Sequence, residues 1–260
     1  MTTERPTLDS AEQSVRDARR LVREERRRTV DEREAFRAFA ERLRDIQPAT
    51  GRAVPAAVRG TNAGDAGPKA AKRVLDAYRQ TVMAVPHYEA EYGDTIGRSI
   101  VEEFGTSVGG ALVSADGLTP ELRRVVVEAT KGAASDRESF LGLLDEEVRS
   151  LTTVLDRVGS ISETLRALDD TPLPERSFDD LCELRGRVSA LERRATDLHA
   201  ERQRRISGHR QRLGIPAVDL PTFLYQERPY TYPALSAAAT LAETIRRACR
   251  RVDRQLTATP

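Results

Sequence analysis

From Leu122 to Leu168 apolar side chains return at helical spacing on either side of a gap between Ala129 and Phe140, through Leu122, Val125, Val126, Ala129, Phe140, Leu143, Leu144, Val148, Leu151, Leu155, Val158, Ile161, Leu165 and Leu168. That period keeps one face of an α-helix apolar. A stripe so long has to be covered by other elements, so the chain needs further long helices of the same pattern. Ser10–Ile46 supplies one, with Val15, Ala18, Val22, Phe36, Phe39, Leu43 and Ile46 at that spacing, and as one helix it would span roughly 55 Å. Its Glu25, Thr29 and Glu32 fall in the same seam and mark its weakest part. Leu181, Leu184, Val188, Leu191, Ala195 and Leu198 form a third stripe, which gives way to Arg202 and Arg205. Ala234–Leu256 is a fourth, through Leu235, Ala238, Leu241, Ile245, Ala248, Cys249 and Val252. With no alternating strand pattern beside them, the expected fold is all-α: long amphipathic helices in an antiparallel bundle or a coiled-coil-like hairpin arrangement.

Turn chemistry sets the expected boundaries. Residues 1–47 read as a long N-terminal helix and 48–68, rich in Ala, Gly, Pro and Thr, as a flexible linker. Residues 69–260 read as a helical bundle, one domain with the N-terminal helix packed on it. Within it a helix from Lys69 is interrupted by Pro86, which lacks a donor and biases its predecessor away from helix. A second run is expected over His87–Phe104, and the glycine-rich stretch Thr106–Gly117 reads as a turn-bearing connection. Thr119-Pro120 pairs a capping threonine with a first-turn proline. The prolines after Thr171 end the longest stripe, and Ser177 stands three residues before Asp180 in a capping pattern. Gly132–Ser135 is a soft spot where that longest helix is expected to kink.

Composition excludes some roles. Net charge is +1, so the chain as a whole does not attract nucleic acid or an anionic membrane. Lysine occurs only at Lys69, Lys72 and Lys131, and arginine supplies the rest of the 42 basic residues. Arginines cluster over Arg16–Arg28, Arg202–Arg212 and Arg246–Arg254. The second cluster, Arg202, Arg204, Arg205, Arg210 and Arg212, has no interspersed acid and is the candidate nucleic-acid contact. Two of the clusters fall near predicted helix C-termini, where cations meet the helix dipole favourably, so solvated or partner-paired arginine is the preferred reading. No run approaches the roughly 18 apolar residues a membrane span needs. The two distant cysteines, Cys182 and Cys249, form no disulfide framework and are expected as small buried residues. A cytoplasmic location without membrane attachment is expected.

No catalytic or cofactor-binding constellation emerges. The glycines Gly105, Gly109 and Gly110 are not followed by the lysine and hydroxyl of a phosphate loop. His87 and Glu91 share a helical face, and Tyr88 and Tyr92 repeat that spacing, but a metal needs three or four ligands. No metal, cofactor or catalytic residue is therefore expected. Ile215–Pro233 is different in kind, setting four of the thirteen prolines beside four of the twelve aromatics. Its Phe223, Leu224, Tyr225, Tyr230 and Tyr232 either close the end of the bundle, with the prolines stiffening the crossing, or form a protein-docking patch of the residue types enriched at interfaces.

Three word patterns, VDEREAFRAFAERL (Val30–Leu43), YRQTVMAVPHYEAEYGD (Tyr78–Asp94) and LPTFLYQERPYTYPAL (Leu220–Leu235), resemble an uncharacterised helical protein family of halophilic archaea over nearly the whole chain. The resemblance implies lineage and carries no site residues. In the salt-rich cytoplasm it implies, screening over about 3 Å would suppress long-range steering by arginine. The expected function is non-enzymatic: a helical interaction or scaffold protein with a protein partner or a second copy of itself. A nucleic-acid-associated regulator using the arginine clusters is the alternative.

Overall fold

The computed structural model describes residues 7–48, 66–168, 172–213 and 220–258, and the side chains of these except 66–68, 168 and 210–213. The expected linker over 49–65, and 215–219 of the proline-aromatic segment, therefore lie outside the described residues. The helices are α1 (Leu8–Asp45), α2 (Ala66–Arg79), α3 (Tyr88–Glu91), α4 (Ile96–Ser114), α5 (Pro120–Leu168), α6 (Phe178–Leu213), α7 (Leu220–Tyr225) and α8 (Pro233–Ala258), with 3-10 turns at Val82–Ala84 and Leu173–Glu175. The fold is all-α, with no strand among the described residues. No helix among them is long and apolar enough to cross a membrane.

The caps written in the sequence form as expected. Leu122 N donates to Thr119 Oγ1 at 3.1 Å, and α5 then runs unbroken through Gly132–Ser135. At the start of α6, Asp180 N donates to Ser177 Oγ at 3.2 Å and Ser177 N donates back to Asp180 Oδ2 at 3.2 Å. The Ser177 hydroxyl and amide hold the Asp180 carboxyl below its ordinary range.

Two expectations between Pro86 and Gly117 are corrected. His87–Phe104 is not one helix, because α3 stops at Glu91 and Thr95 restarts the chain as the cap of α4, accepting from Arg98 N. Thr106–Gly117 is not a connection, because residues 106–114 are helical. The turn is a single residue, Gly105, at φ 78° and ψ 164°. The segments on either side fold back on each other: a Cβ on Gly97 would touch Val113, and a Cβ on Gly109 would lie 2.6 Å from the Ile100 carbonyl oxygen. Gly109 is small because the backbone of Ile100 and Val101 needs the space, not because the chain turns there, whereas a Cβ on Gly97 would make only an ordinary side-chain contact. Gly105 is the opposite case, in open space but in backbone geometry that side chains avoid. Gly105→Ala is expected to destabilise the protein by about 2 kcal/mol through backbone strain alone, read as a lower urea midpoint with an unchanged slope.

The chain divides into two compact units, residues 25–142 and residues 1–24 with 143–260. The division falls inside α1 and α5, each of which contributes a stretch to both units. In the 25–142 unit, Phe36, Phe39, Leu43, Tyr78, Ile100, Leu112, Leu118 and Val126 form the core. Phe104 packs against it, with its ring centroid 5.9 Å from Tyr78 and 6.4 Å from both Phe36 and Phe39. Here α1 and α5 run antiparallel, Arg33 and Arg37 meeting Glu138 while Arg123 reaches the end of α1. Arg123 Nε donates to the Leu43 and Ile46 carbonyls and Nη2 donates to that of Arg44, which satisfies acceptors left over at a helix C-terminus.

In the other unit the partners again pair in reverse order. Asp9 meets Arg166 and Arg19 meets Thr152; Arg194 meets Ser160 and Arg202 meets Glu147; Arg185 meets Asp253 and Arg246 meets Glu192. The first residues of α1, the second half of α5, α6 and α8 are thus successively antiparallel around Val15, Val22, Leu151, Val158, Leu184, Leu191, Leu241 and Ile245.

Candidate functional site

In the 25–142 unit, the polar interruption of the α1 seam is where a charged cluster is built. Glu25, Arg28 and Glu32 share one face of α1, at the three- and four-residue spacing that makes helical neighbours. The residues around α3 come up to that face. Glu32 Oε1 lies 3.3 Å from His87 Nε2 and accepts from Tyr92 Oη at 3.0 Å, while Oε2 accepts from Arg137 Nε at 3.1 Å. Arg137 also forks onto Glu103, at 2.6 and 2.9 Å, with its guanidinium 4.8 Å from the Phe36 ring centre. Arg28 bridges Glu91 at 2.5 Å and Glu25 at 3.8 Å.

The electrostatics follow from this crowding. Burial, then the neighbouring Glu91 carboxylate, pushes the Glu25 carboxyl above its ordinary range, with Arg28 opposing. Burial works to lower the Arg137 pKa, but hydrogen bonds and charge from Glu103 and Glu32 hold it above its ordinary value. Burial, then the charge of Glu32, raises the Tyr92 phenol. Beside Glu32 a cavity of about 130 Å³ is lined by Tyr78, Tyr88, Tyr92, Ser99, Glu103 and Arg137 among others. Tyr78 Oη and Ser99 Oγ pair across it at 3.0 Å. One ligand atom from each of Glu32, His87 and Glu91 lies within 4.8 Å of the other two. The His87 and Glu91 pair was legible as a helical face, whereas Glu32 arrives from another helix.

The other unit holds a second cluster, and it is closed. Arg202 Nη1 and Nη2 donate to the two carboxylate oxygens of Glu147 at 2.7 and 2.6 Å, with Arg202 2% and Glu147 0% exposed at the side chain. Nη1 also donates to Ser150 Oγ at 3.0 Å, and Tyr225 Oη donates to Glu147 Oε1 at 3.0 Å. Burial, then the Glu147 charge, raises the Tyr225 phenol far above its ordinary value. His209, buried about two turns beyond Arg202, sits 3.4 Å from Glu146, and burial lowers its pKa.

This cluster corrects two residues of the sequence reading. Arg202 is enclosed and cannot meet a phosphate from solution, and Tyr225 is anchored inside the unit rather than displayed. The α6 seam does not fray after Leu198 either, since Arg202, Ile206 and His209 continue it as buried positions. Arg205 is paired with Glu201 at 3.2 Å, and Arg204 is exposed beside a groove it shares with Asp197 and Glu201. The side chains of Arg210 and Arg212 lie outside the described residues. Among the other clustered arginines, Arg16, Arg20, Arg28 and Arg246 are ion-paired. Cys249 is buried, but Cys182 is exposed, because it falls on the solvent side of α6 beside the buried Leu181.

Of the aromatic segment, Phe223 is 51% and Tyr230 38% exposed, while Leu224 and Tyr232 are half-buried. Tyr225, Arg228, Pro229, Tyr230 and Pro233 form one wall of a groove of about 280 Å³, and Ser14, Asp17, Ala18, Arg20 and Leu21 of α1 form the other. The Arg228 guanidinium makes no ion pair within 4 Å among the described residues, although its charge helps lower the Asp17 pKa, behind the Arg20 hydrogen bond.

A family model described as a domain of unknown function, DUF7260, matches residues 13–249. No curated protein and no solved structure matches the chain.

Proposed function

The chain belongs to the DUF7260 family, a domain of unknown function, and from that premise we propose that it is a non-catalytic helical interaction protein. Its docking face is the groove between the start of α1 and the turn from α7 to α8. The observation that carries this reading is the exposure of Tyr230 on that groove, with Arg228 at its wall. Aromatic and arginine side chains concentrate binding energy at interfaces, since they offer large area and directed donors at modest entropic cost. The partner this face fits is a protein that inserts a large apolar side chain and presents a carboxylate to Arg228. The cytoplasm is the compartment this reading supposes, and two free cysteines suit it.

The arginine pairing described above weighs against the nucleic-acid alternative. A guanidinium already neutralised by a carboxylate releases fewer counterions from a phosphate backbone. The test is site-specific photocrosslinking in the host cell from a photoreactive residue at position 230, with one at the exposed Glu183 as control. The expected result is a recurrent protein adduct from position 230 that disappears in Arg228→Glu. Equal adducts from both positions, or an adduct indifferent to Arg228, would sink the proposal.

A further inference from the structure

Around Glu32 the fold gathers more negative than positive charge. Glu25, Glu32, Glu91 and Glu103 face two guanidiniums, and each guanidinium is shared: Arg28 by Glu25 and Glu91, Arg137 by Glu32 and Glu103. A partly buried cluster two positive charges short is costly unless a cation joins it or a proton does. His87 supplies the one uncharged ligand type that divalent transition ions favour. From this geometry we infer a divalent transition-metal site, of the zinc or manganese class, whose protein ligands are Glu32, His87 and Glu91.

The distances suit such an ion. Two ligand atoms bound to zinc at about 2.1 Å each can be no more than about 4.2 Å apart, so atoms now within 4.8 Å of one another need a small closing movement. Glu32 is oriented from outside the triad by Tyr92 and Arg137, the kind of support that holds a ligating carboxylate in place. Arg28, itself exposed, is the cation that Glu91 now holds, and releasing it to solvent frees that carboxylate for the metal.

A separate observation points to the same place. Tyr88 follows His87 directly and is 6% exposed, and its hydroxyl has no hydrogen-bond partner within 3.5 Å among the described residues, Ser99 being the nearest group that acts on it. It lines the cavity that Glu32 also lines, whose volume of about 130 Å³ has room for several waters. Three protein ligands leave a divalent ion with positions for water, and the cavity beside Glu32 gives such waters room.

The site is tested on the full chain by isothermal calorimetry with Zn²⁺, in a Cys182→Ser background that removes the exposed thiol. The expected result is one Zn²⁺ per chain, weakened roughly tenfold or more by His87→Ala and by the surface change Glu91→Gln, and tightened by Arg28→Ala. Circular dichroism of each variant distinguishes a lost ligand from a lost fold, and Glu91→Gln keeps the test decisive should His87→Ala unfold. Absence of binding up to about 1 mM Zn²⁺, or equal affinity in Glu91→Gln and the parent, would overturn the inference. The outcome is independent of the docking groove, which shares none of these residues.

Discussion

Glu147→Ala is expected to destabilise the unit formed by residues 1–24 and 143–260 by about 3 to 5 kcal/mol, the cost of removing one partner from a buried ion pair. Few changes elsewhere in the chain should match it. Arg202 would remain 2% exposed with its carboxylate gone, and a guanidinium cannot escape by losing its proton. Ser150 would remain as a neutral acceptor that cannot replace the lost charge, and the Tyr225 hydroxyl would lose the oxygen it donates to. The paired substitution Glu147→Leu with Arg202→Met should be far milder than either change alone, because a buried pair replaced by apolar groups of similar size costs little. Urea unfolding followed by circular dichroism reads both results. Hydrogen exchange should show the loss of protection in Glu147→Ala centred on α6 and the second half of α5. If Glu147→Ala and the double variant are equally destabilised, the carboxylate is not what stabilises Arg202.

Gly109→Ala should cost about 3 kcal/mol, at the upper end for overpacking. The added methyl would lie 2.6 Å from the Ile100 carbonyl oxygen and 2.7 Å from the Val101 Cα. Both are backbone atoms, so no side chain can swing aside, and the two halves of α4 would have to separate. Gly110→Ala is the control, since a methyl there meets nothing within 4 Å and replaces a poor helix former with the best one. Thermal melting should therefore place the two neighbouring alanine variants on opposite sides of the parent. A Gly109→Ala protein that melts with the parent would mean that the hairpin turn at Gly105 does not bring the halves of α4 into contact.

Helices and caps were legible in the sequence because they depend on neighbours three and four residues away. Thr119 and Ser177 cap as their spacing indicated, and the four apolar stripes are α1, α5, α6 and α8. The hairpin within α4 was hidden because glycine signals both a turn and a close approach, and Thr106–Gly117 contains the second kind. The clusters were half-visible. Glu25, Thr29 and Glu32 in one seam and Arg202 in another stood out as polar residues on an apolar face, and each proved to be a partly or fully buried position. Glu147, lying between Leu144 and Leu151 on the core side of α5, carried the same signal. What one chain cannot show is the partner: Glu32 and His87 are 55 residues apart, as are Glu147 and Arg202. Pairing at that range is set by which helices meet, not by local spacing.

The unit of residues 25–142 is one uninterrupted stretch of chain, whereas the other unit joins residues 1–24 to residues 143–260. On a ribosome that asymmetry becomes a schedule. Every residue of the uninterrupted unit has been made before Leu143 exists, so Val15, Ala18 and Val22, all buried in the finished protein, emerge long before anything in their own unit can cover them. At the usual pace of synthesis the delay is roughly 6 to 24 s. During that interval the first turns of α1 present an apolar stripe to whatever attends the nascent chain, and the second half of α5 is the segment whose arrival ends the wait.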